Sequence, residues 1–269
     1  MEQLPLKELV VLIRGAGDLA TGVAHRLWRS GFQVCMTEVP HPLAIRRAVC
    51  FSEAVHDGEK TVEDVTAKHV IDVEAVRPTW KKGKIPVLVD PQAEIRKTMR
   101  PHVLVDAIMA KKNLGTIMSD AQLVIGLGPG FSAGGDVHLV IETNRGHDLG
   151  RLIRVGSAEP DTGVPGPVGG YAAERVLRAP ESGRFDPLHE IGDAVKTGDP
   201  VAMVEGVAMR SRISGVLRGI LRPGTPVEKG MKSGDVDPRG KREACFTISD
   251  KARALGGAVL EGILATFNR

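Results

Sequence analysis

Two kinds of hydrophobic pattern follow each other in the first forty residues. Leu9–Ile13 is a continuous apolar run rich in β-branched residues, which is typical of a buried strand in a parallel sheet. Leu19–Ser30 places apolar side chains on one face of a helix and basic ones on the other, and Gly31 ends it. Gln33–Thr37 is a second apolar run. Residues 9–38 therefore predict a βαβ unit.

Further apolar runs predict more of the same sheet. Three of them indicate buried strands: Ile85–Asp90, His102–Asp106 and Gln122–Leu127. A short helix is expected over Pro42–Val49, and a strand over Asp136–Glu142 at a sheet edge, where an antiparallel direction is left open. Residues 50–84 give no assignable pattern. Alternating strands and helices predict an α/β fold with a Rossmann-like, doubly wound, mostly parallel sheet.

The last third of the chain changes character after the Gly- and Pro-rich stretch Gly156–Gly170, which is a linker or a binding loop. Ile191–Pro238 has short runs with frequent turn signals, which indicates a small β module. Its motif Gly192-x-x-Val195-x-x-Gly198 recurs 32 residues later as Gly224-x-x-Val227-x-x-Gly230, so two similar half-units are expected.

A C-terminal helix is expected over Ser249–Phe267, with Ser249 or Asp250 as its cap. The pair Gly256-Gly257 inside it predicts close backbone packing. The predicted domains are a Rossmann-like nucleotide- or cofactor-binding domain, a β barrel-sandwich module and the C-terminal helix, over residues 1–183, 184–240 and 241–269.

Composition excludes several classes of protein. The 269 residues are 42% hydrophobic and 26% charged, which is ordinary for a globular protein. A net charge of +3 without a basic block, and only 3% aromatic residues, argue against nucleic-acid binding. Three cysteines without a CxxC pair are expected to be reduced thiols, which favours the cytoplasm. No apolar stretch is long enough to span a membrane, so a membrane is not expected as a partner.

The turn after the first strand carries the main chemical signal. Gly15-Ala-Gly17-Asp18-Leu-Ala matches the G-x-G-x-x-A pattern, in which glycines let phosphates approach a helix N-terminus. Glu38 follows Gly17 by 21 residues, where a carboxylate accepts hydrogen bonds from ribose hydroxyls and repels a 2′-phosphate. An NAD-like or other unphosphorylated ribose is therefore favoured. The alternative is that the glycines serve only helix–strand packing. Asp18 would repel phosphates unless a metal or Arg14 offsets its charge.

A second glycine-rich loop follows a later buried strand and contains Gly128 and Gly130, which are expected to close the site. The alternative is a wide turn between two strands. Asp90 and Asp106 end their strands at the same sheet edge. They are expected to serve either as ligands for a metal, ribose or amine, or as caps of the helices that follow. No spacing typical of metal ligands or catalytic groups is found, so no metal site is predicted and the catalytic residues are unknown.

Six segments together resemble a known family. They are Arg14–Gly22, Glu38–Arg47, Phe51–Ala54, Gly128–Phe131, Ile141–His147 and Gly234–Arg239. Over nearly the whole chain they resemble the YqeB-type proteins of selenium-dependent molybdenum hydroxylase systems, which are similar to the XdhC/CoxI accessory factors. The resemblance implies maturation of the molybdenum–pterin cofactor, including its terminal sulfur or selenium ligand, and a molybdenum hydroxylase subunit as partner.

The β module resembles biotinyl/lipoyl carrier domains, which present a modified lysine at the hairpin between their halves. Here that hairpin is expected near Glu205–Met209, which contains no lysine. The module is therefore expected to be carrier-like without a swinging arm, and to serve docking, oligomerisation or covering of a site.

The sequence and the resemblance together predict an accessory factor that binds a nucleotide or the molybdenum–pterin cofactor. The predicted binding residues are Gly15, Gly17, Asp18, Glu38, Gly128 and Gly130. The alternatives are an NAD-dependent oxidoreductase, for which NAD is the cofactor, and a ligand-free scaffold that docks to the hydroxylase. Whether the chain is an enzyme, and whether it forms a homo-oligomer, is left open.

Overall fold

The computed structural model describes residues 5–164 and 166–268. The chain divides into two compact units: unit 1 is Met1–Pro42, Cys50–Asp161 and Ile248–Arg269, and unit 2 is Leu43–Val49 and Thr162–Thr247. The domain boundaries expected from the sequence, 1–183, 184–240 and 241–269, stay a prediction. A division into compact units does not show which segments of the chain fold independently. Among the described residues, none of the helices has the length and apolar character that a membrane crossing requires.

Unit 1 is built on a mixed sheet of nine strands within the described residues. The strands are β1 Val10–Arg14, β2 Gln33–Glu38, β3 Glu59–Val62, β4 Val65–Val70, β5 Ile85–Val89, β6 Val103–Asp106, β7 Leu123–Leu127, β8 Leu139–Ile141 and β9 Leu152–Ile153. Their order is β3-β4-β5-β2-β1-β6-β7-β8-β9. The pairs β3–β4 and β8–β9 are antiparallel and the others are parallel. The carboxyl ends of the parallel strands therefore meet at one edge.

Two long helices accompany this sheet. The helices are α1 Asp18–Arg29, α2 Ala54–Asp57, α3 Val76–Lys81, α4 Arg96–Met99 and α5 Asp250–Phe267. The predictions of α1 and of the C-terminal helix α5 are confirmed, and Ser249 caps α5 by accepting a hydrogen bond from the N–H of Ala252. The helix expected over Pro42–Val49 is only a 3₁₀ turn, Arg47–Val49. The unassigned segment 50–84 forms α2, β3, β4, α3 and a 3₁₀ turn over Phe51–Glu53.

The predicted Rossmann-like fold with a biotinyl/lipoyl-like module is wrong. A doubly wound sheet needs helices in its crossovers on both faces. Here the chain runs from β6 to β7 through a 3₁₀ turn, Met118–Asp120, and from β7 to β8 without a helix, and antiparallel strands lie at both sheet edges. β8 itself runs parallel to β7. Buried apolar runs predicted the strands but not what connects them.

Unit 2 contains two antiparallel sheets of four strands each within the described residues. The strands are β10 Val176–Arg178, β11 Gly183–Pro187, β12 Ala194–Val195, β13 Pro200–Val204, β14 Val207–Arg210, β15 Gly215–Ile220, β16 Pro226–Val227 and β17 Lys232–Asp237. One sheet has the order β10-β17-β15-β12 and the other β14-β13-β11-β16. Side chains from both sheets share one hydrophobic core. The predicted carrier-like module consists of the two half-repeats alone. The edge strand β10 lies before both of them in the sequence, so that module does not account for the whole of unit 2.

The internal sequence repeat of unit 2 is confirmed as a structural repeat. Val195 and Val227 are buried in the two-residue strands β12 and β16, which end one sheet each. The glycines that flank them, Gly192, Gly198, Gly224 and Gly230, all have positive φ. The expected hairpin is also present, with a two-residue turn Glu205-Gly206 between β13 and β14.

All three cysteines are buried and outside any disulfide, as the sequence predicts for Cys35 and Cys50. Burial raises the pKa of the thiols of Cys35 and Cys245. Because the thiolate is the reactive form, we expect the folded protein at pH 8 to react only slowly with Ellman's reagent. Unfolding in guanidinium is expected to release all three thiols. One full equivalent reacting within seconds in the folded state would contradict this.

Candidate functional site

The turn between β1 and α1 lies at the carboxyl edge of the sheet, where open α/β sheets bind ligands. Gly15 has a φ of +98°, and its N–H donates to the carbonyl of Thr37 at 2.8 Å. A Cβ at Gly15 would lie 3.2 Å from the backbone of Ala107. Both backbone conformation and packing therefore require glycine at position 15, which supports a structural role.

Backbone conformation and packing do not explain the second glycine of the motif, Gly17. Gly17 is the N-cap of α1, with φ −70° and ψ −173°, which any residue can adopt. A Cβ at Gly17 would meet no atom within 4 Å among the described residues. Gly17 has no side chain with which to cap the helix itself. The first N–H groups of a helix lack intrahelical acceptors, so the space in front of Gly17 is open to an anionic group.

Glu38 lies against the same turn, as the sequence predicts from its position. Its Oε2 accepts a hydrogen bond from the N–H of Ala16 at 2.8 Å, and its Oε1 accepts one from the N–H of Val39 at 2.8 Å. Burial raises the pKa of Glu38, and these two hydrogen bonds oppose the increase. Each oxygen keeps a lone pair for a hydroxyl or amine of a ligand.

Arg14 does not offset the charge of Asp18, because its guanidinium is committed elsewhere. It donates to Oδ2 of Asp106 at 3.4 Å, to Oγ1 of Thr116 at 3.1 Å, and to the carbonyls of Pro91 and Leu114. Both Arg14 and Asp106 are nearly fully buried. This pair therefore holds the loops after β5 and β6 to the end of β1.

The carboxylate of Asp90 holds the loop that leads from β5 into α4. Its Oδ2 accepts a hydrogen bond from the N–H of Ile95 at 2.8 Å, just before α4. Whether Asp90 also binds a ligand stays a prediction.

Gly128 and Gly130 contact the segment 107–112, whose first two residues contact Gly15. A Cβ added at Gly128 would lie 2.5 Å from Oγ1 of Thr143. A Cβ added at Gly130 would lie 2.6 Å from the backbone of Lys112. Both glycines have positive φ. Packing therefore accounts for them, and their part in closing a ligand site stays a prediction.

The first turn of α5 brings a lysine to this edge that the sequence did not single out. Lys251 is partly buried, and Asp18, Glu142, Asp250 and Arg145 are the charges that act on it. Glu142 is buried at the end of β8, where its oxygens accept hydrogen bonds from backbone N–H groups. Lys251 is 233 residues from Asp18, so no local motif could place them together.

A second polar cluster joins α1 to the turn between β3 and β4. Nε2 of His25 lies 2.9 Å from Oδ1 of Asp64 and 3.6 Å from Oε2 of Glu63. The three groups are close enough to hold a metal ion. However, Arg253 pairs with Glu63 and Arg29 pairs with Asp64, so both carboxylates already have cationic partners. The hydrogen bond with His25 lowers the pKa of Asp64. We assign this cluster to an ion-pair network.

An open groove of about 360 Å³ lies at the other end of β2, where that strand begins. It is lined by Trp28, Gly31, Phe32, Gln33, Trp80 and Lys81. Its position at the amino end of the strand separates it from the β1–α1 turn.

No protein-family model matches the chain. The chain is 47% identical over 265 residues to an Escherichia coli (strain K12) protein with the description "Uncharacterized protein YqeB". The alignment covers 98% of this chain and 49% of that protein, so the chain spans about half the length of this relative. This homology supports the YqeB part of the predicted resemblance. The relation to the XdhC/CoxI factors stays a prediction.

Solved structures resemble the chain only weakly. An ectoine utilization protein, EutE (DoeB) from Ruegeria pomeroyi, superposes with a TM-score of 0.26 at 11% identity, covering 85% of each chain. An aspartoacylase family protein from Mesorhizobium loti gives 0.28 at 11% identity, also over 85% of each chain. At such low TM-scores these superpositions establish neither the fold nor the activity of this chain.

Proposed function

We propose that the chain binds a phosphate-bearing nucleotide or pterin-nucleotide at the β1–α1 turn and acts as an accessory factor for a molybdenum hydroxylase. The proposal that the chain binds a ligand rests on the open space in front of Gly17, the N-cap of α1. Neither the backbone conformation nor the packing at this position requires a glycine. Glycine at such a position is explained by a ligand that approaches the backbone closely.

The residues of the turn fit the phosphate and sugar parts of such a ligand. The N-terminal N–H groups of α1 suit a phosphate, because the helix dipole adds to their positive partial charge. Glu38 suits a neighbouring hydroxyl or amine, since its carboxylate already faces the turn. The accessory role itself rests on the resemblance of the sequence motifs, because the similarity to YqeB carries no statement of function.

The substitution Gly17→Val tests the site. We expect it to weaken binding of ADP or NAD by at least about tenfold in titration calorimetry, because the side chain fills the space that a phosphate would occupy. The melting temperature is expected to fall only slightly, since a Cβ at this position meets no atom within 4 Å among the described residues. Gly257→Ala, at an open position on α5, is the matched control and is expected to leave affinity unchanged. Unchanged affinity in Gly17→Val would reject the site.

Native mass spectrometry of the freshly purified chain distinguishes the ligands. A retained pterin-nucleotide mass supports cofactor handling. A retained nicotinamide dinucleotide supports the oxidoreductase instead. An empty chain that forms a stable complex with a hydroxylase subunit supports the scaffold.

A further inference from the structure

The groove at the amino edge of the sheet lies where the ladder between β2 and β5 has not yet begun. Gln33–Cys35 pair with β1, but β2 pairs with β5 only from Met36, which is opposite Val87. Trp80 covers part of this gap from the end of α3, and its Nε1 donates a hydrogen bond to the carbonyl of Val34 at 2.6 Å. The groove of about 360 Å³ lies beside this indole.

Aromatic rings form much of the wall of this groove. Both tryptophans of the chain, Trp28 and Trp80, line it together with Phe32, although only 3% of the residues are aromatic. Phe32 is almost fully buried, whereas the two tryptophans are partly exposed. Grooves lined by aromatic rings bind proline-rich segments, because such segments already adopt the extended polyproline II conformation and lose little entropy on binding.

The groove also carries hydrogen-bond donors that nothing in the described part of the chain accepts. The indole N–H of Trp28 makes no hydrogen bond there, in contrast to that of Trp80. The side-chain amide of Gln33 makes none either. A polyproline II segment has no internal hydrogen bonds, so its backbone carbonyls are available to such donors.

The end of α3 that borders the groove is basic and lacks acidic partners. Lys81 lines the groove, Lys82 follows it, and Arg77 precedes it by one helical turn. None of these three cations has a carboxylate within ion-pair distance among the described residues. Glu59, whose charge interacts with that of Lys82, is paired with Lys84 at 2.6 Å. Charge complementarity therefore favours an acidic partner.

We propose that this groove binds an acidic, proline-containing segment of a partner protein in an extended conformation. Proline rings of the segment pack on the exposed indole surfaces, the N–H of Trp28 donates to one of its carbonyls, and Lys81 pairs with one of its carboxylates. Sites for small molecules enclose most of the ligand surface, which an open groove does not do, so a polypeptide segment fits better. This interaction is independent of the proposed nucleotide site, which lies at the opposite edge of the sheet.

Three synthetic peptides, titrated into the whole chain, test this chemistry. The first is EPPEPPEPPE, the second has serine in place of each glutamate, and the third has alanine in place of each proline. Intrinsic fluorescence reports binding, because both tryptophans of the chain line the groove. We expect the first peptide to bind at least about tenfold more tightly than the other two, since the second lacks the charge and the third lacks the preformed extended conformation.

Two substitutions separate the charge from the indole donor. Lys81→Gln is expected to weaken the acidic peptide about tenfold and the serine peptide hardly at all, whereas the control Lys97→Gln, at an exposed lysine of α4, is expected to have no effect. Trp28→Phe keeps an aromatic ring without the N–H and is expected to weaken both proline peptides by about two- to tenfold. Its control is Tyr171→Phe, which removes a hydroxyl from a partly exposed ring of unit 2.

Several results would overturn this assignment. They are no binding of EPPEPPEPPE at millimolar concentration, equal affinity for the three peptides, and equal effects of Lys81→Gln and Lys97→Gln. Binding of the chain to phosphatidylglycerol vesicles, without binding of the peptide, would assign the groove to a lipid surface instead. Gly17→Val is expected to leave peptide affinity unchanged, so the failure of this inference and the failure of the proposed nucleotide site are distinguishable.

Discussion

The substitution Arg14→Met is expected to lower the free energy of unfolding by about 3–5 kcal/mol, which is typical when one partner of a buried ion pair is removed. Asp106 is only 2% exposed, so its carboxylate would stay in the interior with a neutral neighbour. Thr116 would still donate to Oδ2 of Asp106, at 2.6 Å, but the carbonyls of Pro91 and Leu114 would lose their donors. Urea unfolding followed by circular dichroism measures the change.

The double variant Arg14→Met/Asp106→Leu tests whether the charge is the cause. Removing both charges is often neutral, so the double variant is expected to recover part of the lost stability. Arg29→Met is the matched control, because Arg29 forms an exposed pair with Asp64 and exposed pairs contribute about 0–1 kcal/mol. A loss no larger than that of Arg29→Met would show that the Arg14 contacts do not stabilise the chain.

The strands and long helices could be predicted because their patterns are local. A buried strand needs only a short run of consecutive apolar residues, and β1, β2 and β5 to β7 each contain one. α1 shows one apolar face, so it was predicted within one residue at each end. The fold class was wrong because connections such as those between β6 and β8 depend on tertiary packing, which leaves no periodic signal.

The candidate site was predictable only where one turn holds its parts together. Gly15, Gly17 and Glu38 come together because β1 and β2 are neighbours in the sheet. The partner of Arg14 could not be predicted, since Thr116 lies far from it in sequence. The sequence also gave no means to separate the two glycines, because only the positions of neighbouring atoms show that one is needed for packing and the other is not.

The crossing of α1 and α5 depends on glycines, and Gly22→Ala is expected to lower the free energy of unfolding by about 1–3 kcal/mol. The new Cβ would lie 2.8 Å from the carbonyl oxygen of Ala252, so a backbone has to move. Gly256→Ala is expected to act in the same direction, since its Cβ would lie 2.9 Å from the carbonyl oxygen of Gly22. Alanine favours a helix over glycine by about 1 kcal/mol, so helix propensity alone predicts the opposite sign.

The neighbouring glycine provides the matched control for this prediction. Gly257 follows Gly256 directly in α5, but a Cβ there would meet nothing within 4 Å among the described residues. Gly257→Ala is therefore expected to raise the free energy of unfolding by about 0.5–1 kcal/mol. Opposite signs at Gly256 and Gly257, measured by chemical unfolding, would show that helix contact outweighs helix propensity. Stabilisation at both positions would mean that the two helices are not in such close contact.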